Sequence, residues 1–219
     1  MHHPFAHPDA LEFLKAVKKR FKPNVYVCLG DELDFQSLSR FPKNPDMPSA
    51  GMELSAGIEG LIPFYREFPQ MKVCISNHTI RGHRTAFGAG LPEAFMKHIS
   101  TILNAPDGWE WADEWIIDDV MYFHGDRGKS GQQAHIAYLK GFKRSIVIGH
   151  LHAFSAVSWE GKHFAVNSGC LIDPQSPAFN YARGRAPGVS LGCTLVFHGT
   201  AAYFLPLHTD RFGRWTGSL

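Results

Sequence analysis

A chain of 219 residues, 44% hydrophobic and 19% charged, is long enough to bury a sizeable core as one domain and has the composition of an ordinary globular protein. Its net charge of +2 and pI near 8.3 are too mild to imply a basic footprint for long duplexes, though nucleic acid is not excluded as a partner. No run approaches the roughly 18–20 apolar residues of a membrane span, the N-terminus lacks a signal-peptide core, and Cys28, Cys74, Cys170 and Cys193 form no C-x-x-C pair; the expectation is a cytoplasmic chain with no membrane partner and no thiolate zinc site.

In chain order, Met1-His-His-Pro-Phe5 opens without a strand before it. Residues 7–21 read as a helix, with Leu11, Leu14, Val17 and Phe21 at helical spacing and Lys18, Lys19 and Arg20 at its C-terminal end. Asn24 to Leu29 reads as a strand, and Gly30-Asp-Glu-Leu-Asp34 as the turn leaving it. Residues 40–49, with three prolines, form a loop, and Ser49 caps a helix to about Phe68 that bends near Pro63. Met71 to Ser76 is a strand followed at once by Asn77-His78, and Pro92 to Leu103 is helical. Residues 115–118 and 120–123 are paired strands, with His124 next, and residues 130–142 are helical. A strand at 144–148, a hairpin turning near Glu160-Gly161 into 164–167, a surface loop at 173–188 and a hairpin of 189–197 with 201–207 complete the chain.

Polar residues recur immediately after strands: Asp31, Asn77, His124 and His150. In open α/β sheets, sites gather outside the carboxyl ends of strands, and four exits each carrying a metal-ligand type exceed what turns alone require. Gly149-His150-Leu151-His152 follows the apolar run 146–148; if the segment stays extended, the two imidazoles share one side, roughly 6–7 Å apart. Each residue alone has a plainer reading: His2 a frayed terminus, Asp31 and Asp34 turn formers, Asn77 a turn cap beside a surface His78, and the strand-end histidines buried with satisfied partners.

Taken together, Gly30-Asp31-Glu-Leu-Asp34, Asn77-His78, His124-Gly125 and Gly149-His150-Leu-His152 resemble the ordered motifs of the calcineurin-like metallophosphoesterases, particularly the compact phosphoesterases of phage and bacterial genomes. The resemblance spans most of the chain. It implies a mixed α/β (α+β) fold, a four-layer αββα sandwich of two mixed β-sheets flanked by helices, with the metal site at strand C-terminal ends. In that family the first motif, Asp-x-His, often continues as x-Pro-Phe; His2 of Met1-His2-His3-Pro4-Phe5 matches its histidine, which puts the aspartate one residue before Met1. The expectation is therefore a single domain, residues 1–219, lacking its first β-strand, with the true start upstream.

Carried over residue by residue, the resemblance implies Asp31 as a carboxylate bridging two divalent metal ions. His2 and His152 serve the first metal, and Asn77, His124 and His150 the second. His78 would act on the leaving oxygen, oriented by Asp34, and Arg81 would bind the phosphate. Nitrogen and oxygen donors without thiolates suit Mn, Fe, Zn or Ni without choosing among them, and Mn is the expected metal. The implied reaction is hydrolysis of a phosphomonoester or phosphodiester, a nucleotide or nucleic acid included, by attack of a metal-bridging hydroxide. The alternative from another class is a catalytically impaired binding scaffold, motivated by the missing aspartate and opposed by the retained His78–Asp34 pair. Thr79 stands where the family usually has Asp or Glu, which removes a charge from the support of His78. Residues 125–130 lack the first glycine of a P-loop, since Phe123 occupies its place, yet Arg127 and Lys129 could meet a substrate phosphate. Arg84, Arg183 and Arg185 are further phosphate candidates, and Trp109, Trp111 and Trp115 are read as packing residues before base-stacking ones.

Overall fold

Residues 1–39, 46–176 and 188–219 are described by a computed structural model of the chain. Helix α1 (Ala10–Phe21) starts three residues later than expected and buries Ala10, Phe13 and Val17; of the residues whose spacing announced it, Leu11, Leu14 and Phe21 are only partly buried against the same core, and Lys18, Lys19 and Arg20 occupy its last turn. Helix α2 (Ala50–Glu67) starts at Ser49, whose side chain accepts from the Met52 amide, and runs through Pro63. Its Gly60 lets the His3 ring lie against the helix: a Cβ there would sit 2.5 Å from His3 Nδ1.

Strands β1 (Val27–Cys28), β2 (Met71–Cys74) and β3 (Trp109–Ala112) form a parallel three-stranded sheet in that order. A second sheet has five strands in the order β4-β5-β6-β8-β7, where β4 is Glu114–Ile117, β5 Val120–Phe123, β6 Ile146–Ile148, β7 Ser155–Glu160 and β8 His163–Ser168. Strands β5, β6 and β8 run parallel at its centre, and β4 and β7 are antiparallel edges. All four residues of β5 are buried, as befits a strand covered on both faces. β9 (Gly192–Phe197) and β10 (Ala201–Pro206) form an antiparallel hairpin.

Three apolar clusters explain the arrangement. Phe13, Val17, Leu61, Phe64 and Trp109 join α1 and α2 to the three-stranded sheet. Alternation along β5 and β6 sends Val120, Tyr122 and Val147 into a second cluster with Cys74, Val27 and Val196, and sends Met121, Phe123, Ile146 and Ile148 into a third against Tyr138 and Leu139 of α5 (Ala134–Phe142). Fully buried Phe13, Phe123 and Phe164 each contribute about 1.5–3 kcal/mol of transfer free energy.

Several elements differ from the sequence reading. The strand expected at 24–29 shrinks to two residues, and the helix expected over 92–103 is a single 3-10 turn at Glu93–Phe95 and one short helix, α4 (Ile99–Ile102), between them an extended Met96. Helix α3 (Arg81–Gly88) and strand β3 were not foreseen: α3 is eight residues long, with two glycines and no buried residue, and β3 is a short Trp-rich run beside a turn. The helix expected from 130 starts at Ala134. Instead of two sheets there are three among the described residues. Most of the loop expected at 40–49, and Arg183 and Arg185, lie outside the described residues. No helix among the described residues is long and apolar enough to cross a membrane.

Candidate metal centre

The carboxyl ends of four parallel strands launch most of the site. Asp31 follows β1, Asn77 follows β2, His124 follows β5 and His150 follows β6. Gly30, at φ +95°, is what allows this convergence: a Cβ there would lie 2.6 Å from Ser76 Cβ and 2.9 Å from His124 Nδ1. His2 is no frayed terminus, being 1% exposed; its amide donates to the Asp31 carbonyl at 2.6 Å and His3 bridges in parallel to Leu33.

Two neighbourhoods meet at Asp31. On one side, Asp31 Oδ2 lies 3.2 Å from His2 Nε2 and 3.4 Å from His152 Nε2, and those two ring nitrogens are 2.9 Å apart. On the other, His124 Nε2 lies 3.5 Å from Asp31 Oδ1, 2.9 Å from Asn77 Oδ1 and 3.1 Å from His150 Nδ1. His124 Nδ1 is 2.7 Å from the Leu29 carbonyl, which can only accept, so Nδ1 carries the proton. With the ring neutral, Nε2 then presents a lone pair to Asn77 Oδ1 and Asp31 Oδ1, which are also acceptors. Asp31 Oδ1, though buried, has no hydrogen-bond partner. His150 Nδ1 can donate to at most one of these atoms, and the buried acceptors left over are costly unless a cation lies between. Donors around one ion at about 2.0–2.2 Å sit roughly 3.0–3.5 Å from one another, which these spacings match. The residues present therefore fit a metal, and the groups His2, Asp31, His152 and His2, Asp34, His78 could hold one.

His150 and His152 do not sit on an extended segment. β6 ends at Ile148, and the Leu151 amide donates to the Gly149 carbonyl at 2.8 Å, closing a three-residue turn with His150 at φ +66°. That turn, rather than strand alternation, sends His150 to His124 and His152 to His2. His2 at φ +62° and Asp31 at φ +54° are also left-handed, so three candidate ligands hold a conformation that non-glycine residues occupy at a cost.

Asp34 does more than the expected orienting of His78. Its Oδ1 accepts from His2 Nδ1 at 2.8 Å and lies farther, 3.3 Å, from His78 Nδ1, which is 2.7 Å from the Asp34 carbonyl. The same carboxylate thus fixes the tautomer of His2 and leaves its Nε2 lone pair facing Asp31. Burial opposes ionisation of Asp34, but its bonds to His2 and His78 prevail and hold the carboxyl well below the usual range. Asp31 follows the same pattern: burial raises its pKa, and His124, His78, His2 and His152 together outweigh it. Burial, and then the charge of His2, lower His152 to about 4. For His78, burial opposes protonation but Asp31 and Asp34 overcome it, raising its pKa. Arg81 opposes that outcome: its Nη2 lies 2.9 Å from His78 Nε2, and a guanidinium can only donate, so this contact exists only while the ring is neutral. Arg81 Nη1 is anchored on the Asp34 and Phe35 carbonyls at 2.8 and 3.2 Å.

A supporting network escaped the sequence reading. Glu32 is fully buried, and its carboxylate accepts from Thr79 Oγ1 at 3.1 and 3.0 Å and from Trp111 Nε1 at 3.2 Å. Because Thr79 spends its proton on Glu32, Ser76 Oγ donates to Thr79 Oγ1 at 2.9 Å; Ser76 Oγ also accepts from the Asp31 and Thr79 amides, both at 3.0 Å. The turn that carries Asp31 and the turn that carries Asn77-His78 are tied by this hydroxyl pair, so Thr79 supplies support through hydrogen bonds rather than charge. The charged Glu32 inside Gly30-Asp-Glu-Leu-Asp34 was the available signal.

Other sequence candidates fall elsewhere. The indoles of Trp109, Trp111 and Trp115 donate to Phe68 O, Glu32 and Val73 O, which is packing, as first read. Arg127 pairs with Glu114 at 2.6 Å and stacks on Phe123, and no helix starts at Ser130. No protein-family model, curated protein or solved structure matches the chain.

Proposed function

We propose that the chain is a dinuclear metal-dependent phosphoesterase, hydrolysing a phosphomonoester or phosphodiester such as a nucleotide or a nucleic-acid end, on a four-layer αββα fold. One observation carries the reading: the two oxygens of the single buried carboxylate Asp31 face two separate sets of donors, His2 with His152 and Asn77 with His124 and His150. The layering draws support from the three apolar clusters, which stack α1 and α2, a sheet, a second sheet and α5. Asp31 would bridge two divalent cations, with Mn the first choice and Fe, Zn or Ni alternatives; when bound, such a pair activates water and neutralises phosphoryl charge.

The residues of the chain divide the remaining work. Asp34 holds His2 in the tautomer that points Nε2 at Asp31. Arg81, half-tied to backbone carbonyls through Nη1, turns its Nη2 from His78 to a phosphate oxygen when substrate arrives. That exchange frees His78 Nε2 to carry a proton to the leaving oxygen, while Asp31 and Asp34 favour its charged form. The decisive assay is hydrolysis of bis-(p-nitrophenyl) phosphate with added Mn, for the chain as given and for a version extended by a residue Asp ahead of Met1. Turnover abolished by chelator and by His78→Ala, with metal content kept in that variant, is expected. No activity in either form overturns the enzyme reading in favour of a binding scaffold.

A further inference from the structure

Directly after Asn77-His78 the chain leaves the core. From residue 80 to residue 98 none is buried, and none joins the three apolar clusters. The stretch is ordered by its own bonds instead. Helix α3 closes at the left-handed Gly90, where the Leu91 amide donates to the Ala86 carbonyl. The 3-10 turn at Glu93–Phe95 then leads the chain back, and His83 Nε2 donates to the Lys97 carbonyl at 3.2 Å. On this lobe Phe87, Leu91 and Phe95 are exposed, Phe95 to 76%. Three large apolar side chains within nine residues, on a lobe that adds nothing to the core, mark a contact surface rather than scatter.

The same lobe is cationic and begins at the metal centre. Arg81, Arg84 and Lys97 face Glu93 as the one acidic residue of the stretch, and Arg84 and Lys97 make no ion pair among the described residues. Arg81, Arg84 and Phe87 are three residues apart, which sets them along one ridge of α3 over about 9 Å. Arg81 starts that ridge 2.9 Å from His78; burial lowers its pKa, and the nearby charge of Arg84 adds to the lowering. Two guanidiniums held close together favour an anion between them. We infer that the α3 lobe binds single-stranded nucleic acid, with phosphates on Arg81 and Arg84 and unstacked bases on Phe87 and Phe95. A phosphate chain satisfies the cations, and only unpaired bases offer their faces to exposed aromatic rings. A duplex keeps its bases stacked, and a net charge of +2 gives the chain little hold on one. A second copy of the chain, docked symmetrically through this lobe, would set like charges against each other. The direction of the strand alone rests on the proposed function: His78 serves the leaving oxygen with Arg81 beside it, so the departing nucleotides lie along α3. The substrate is then a phosphodiester of a single strand.

The test measures fluorescence anisotropy of labelled oligothymidylate and oligouridylate of about eight nucleotides, in chelator so that binding is read without turnover. At least one strand should bind more tightly than a blunt duplex of equal length, and the tighter of the two names the sugar. Replacing Phe87 and Phe95 together by Ala should weaken binding about tenfold or more, and Arg84→Gln should reduce the salt slope by about 0.7. Phe212→Ala, which removes an aromatic ring 68% exposed in the C-terminal segment, should change nothing. All four side chains are exposed, so an unchanged Tm is expected and checks the fold of each variant. No binding of either strand, a duplex bound as tightly, or an equal loss in Phe212→Ala overturns the proposal. So does sedimentation showing a dimer that the double Phe variant breaks apart while oligonucleotide stays unbound, which assigns the patch to self-association. Assays with added Mn separate this inference from the proposed function. Hydrolysis of bis-(p-nitrophenyl) phosphate without oligonucleotide binding overturns the lobe and leaves the phosphoesterase standing. Binding that the double Phe variant loses, with no ester cleaved by either protein, upholds the lobe and sinks the phosphoesterase together with the direction of the strand.

Discussion

On the Oδ1 side of Asp31 the chain presents Asn77, His124 and His150, launched from β2, β5 and β6, whereas on the Oδ2 side it presents only His2 and His152, beside an N-terminal ammonium bonded to the Asp31 carbonyl. The first set is fixed by parallel strands packed on both faces and by a backbone carbonyl that pins the His124 tautomer. The second is fixed by local bonds: Asp34 to His2, and a turn to His152. The difference teaches that one set is positioned by the strands of two sheets, and the other by hydrogen bonds and a turn local to its own residues. The set that includes His2 also presents fewer donors among the described residues.

Removing the residue common to both sides should have the largest effect. Asp31→Asn keeps the shape and the Ser76 bond to its amide but removes the charge that faces four imidazoles. Under the proposed function, turnover should fall by about 10²–10³-fold or more, with loss of metal from both sides by elemental analysis. Retention of one full equivalent would show that Asp31 serves one side only.

The inequality of the two sides gives the next effect. In the chain as given, Mn titration should resolve one tighter and one weaker site. His124→Ala should remove the tighter, and His152→Ala the weaker, each shift being at least about 10–100-fold in affinity. Equal losses from the two variants would break the comparison, and so would a tighter site that survives His124→Ala.

Much of this was legible because polar residues at strand exits leave a local signature: an apolar run and then a polar residue at β1, β2, β5 and β6, with a glycine between the two at β1 and β6. The flanking helices α1 and α2 declared themselves by spacing and by Ser49. What was not legible depends on contacts far apart in sequence. Asp34 was read as the partner of His78, yet its carboxylate bonds more closely to His2, 32 residues away. The Glu32–Thr79–Trp111 network spans 79 residues, and nothing in the local sequence pairs them. His150 and His152 were placed on one face by strand alternation; the actual turn needs a left-handed His150, which a sequence pattern does not reveal. Helix α3 escaped for another reason. It is eight residues long, holds Gly82 and Gly88, and buries none of its residues, so it is too short and too glycine-rich for spacing to announce it.

The smallest effect separates the two sides without metal. Burial and the charge of His2 lower His152 to about 4, whereas Asp31 and Asp34 raise His78. A histidine lowered on folding is charged first in the unfolded chain: below pH about 6.5 the unfolded state binds a proton that the folded state refuses until about pH 4. Stability should therefore fall on acidification across that window, by at most about 1.4 kcal/mol per pH unit for one group, trimmed because the His152 side chain is 22% exposed. His78 has the opposite sign: its contribution is full below pH about 6.5 and is lost as pH rises through its folded pKa. Urea unfolding in chelator between pH 4.5 and 8.5 should thus show a shallow maximum. His152→Asn should remove one group's share of the acid limb, the rest staying with His3, His135 and His150, which burial also lowers, and His78→Asn should flatten the alkaline limb. Asp31 and Asp34 leave this window undisturbed, because their pKa values lie below it in both states, whereas burial raises Glu32, whose folded form takes up a proton before the unfolded one does and so blunts the acid limb. An acid limb that His152→Asn leaves unchanged would place the burden on His3, which burial lowers to about 3, and would remove the asymmetry between the two sides in the metal-free chain.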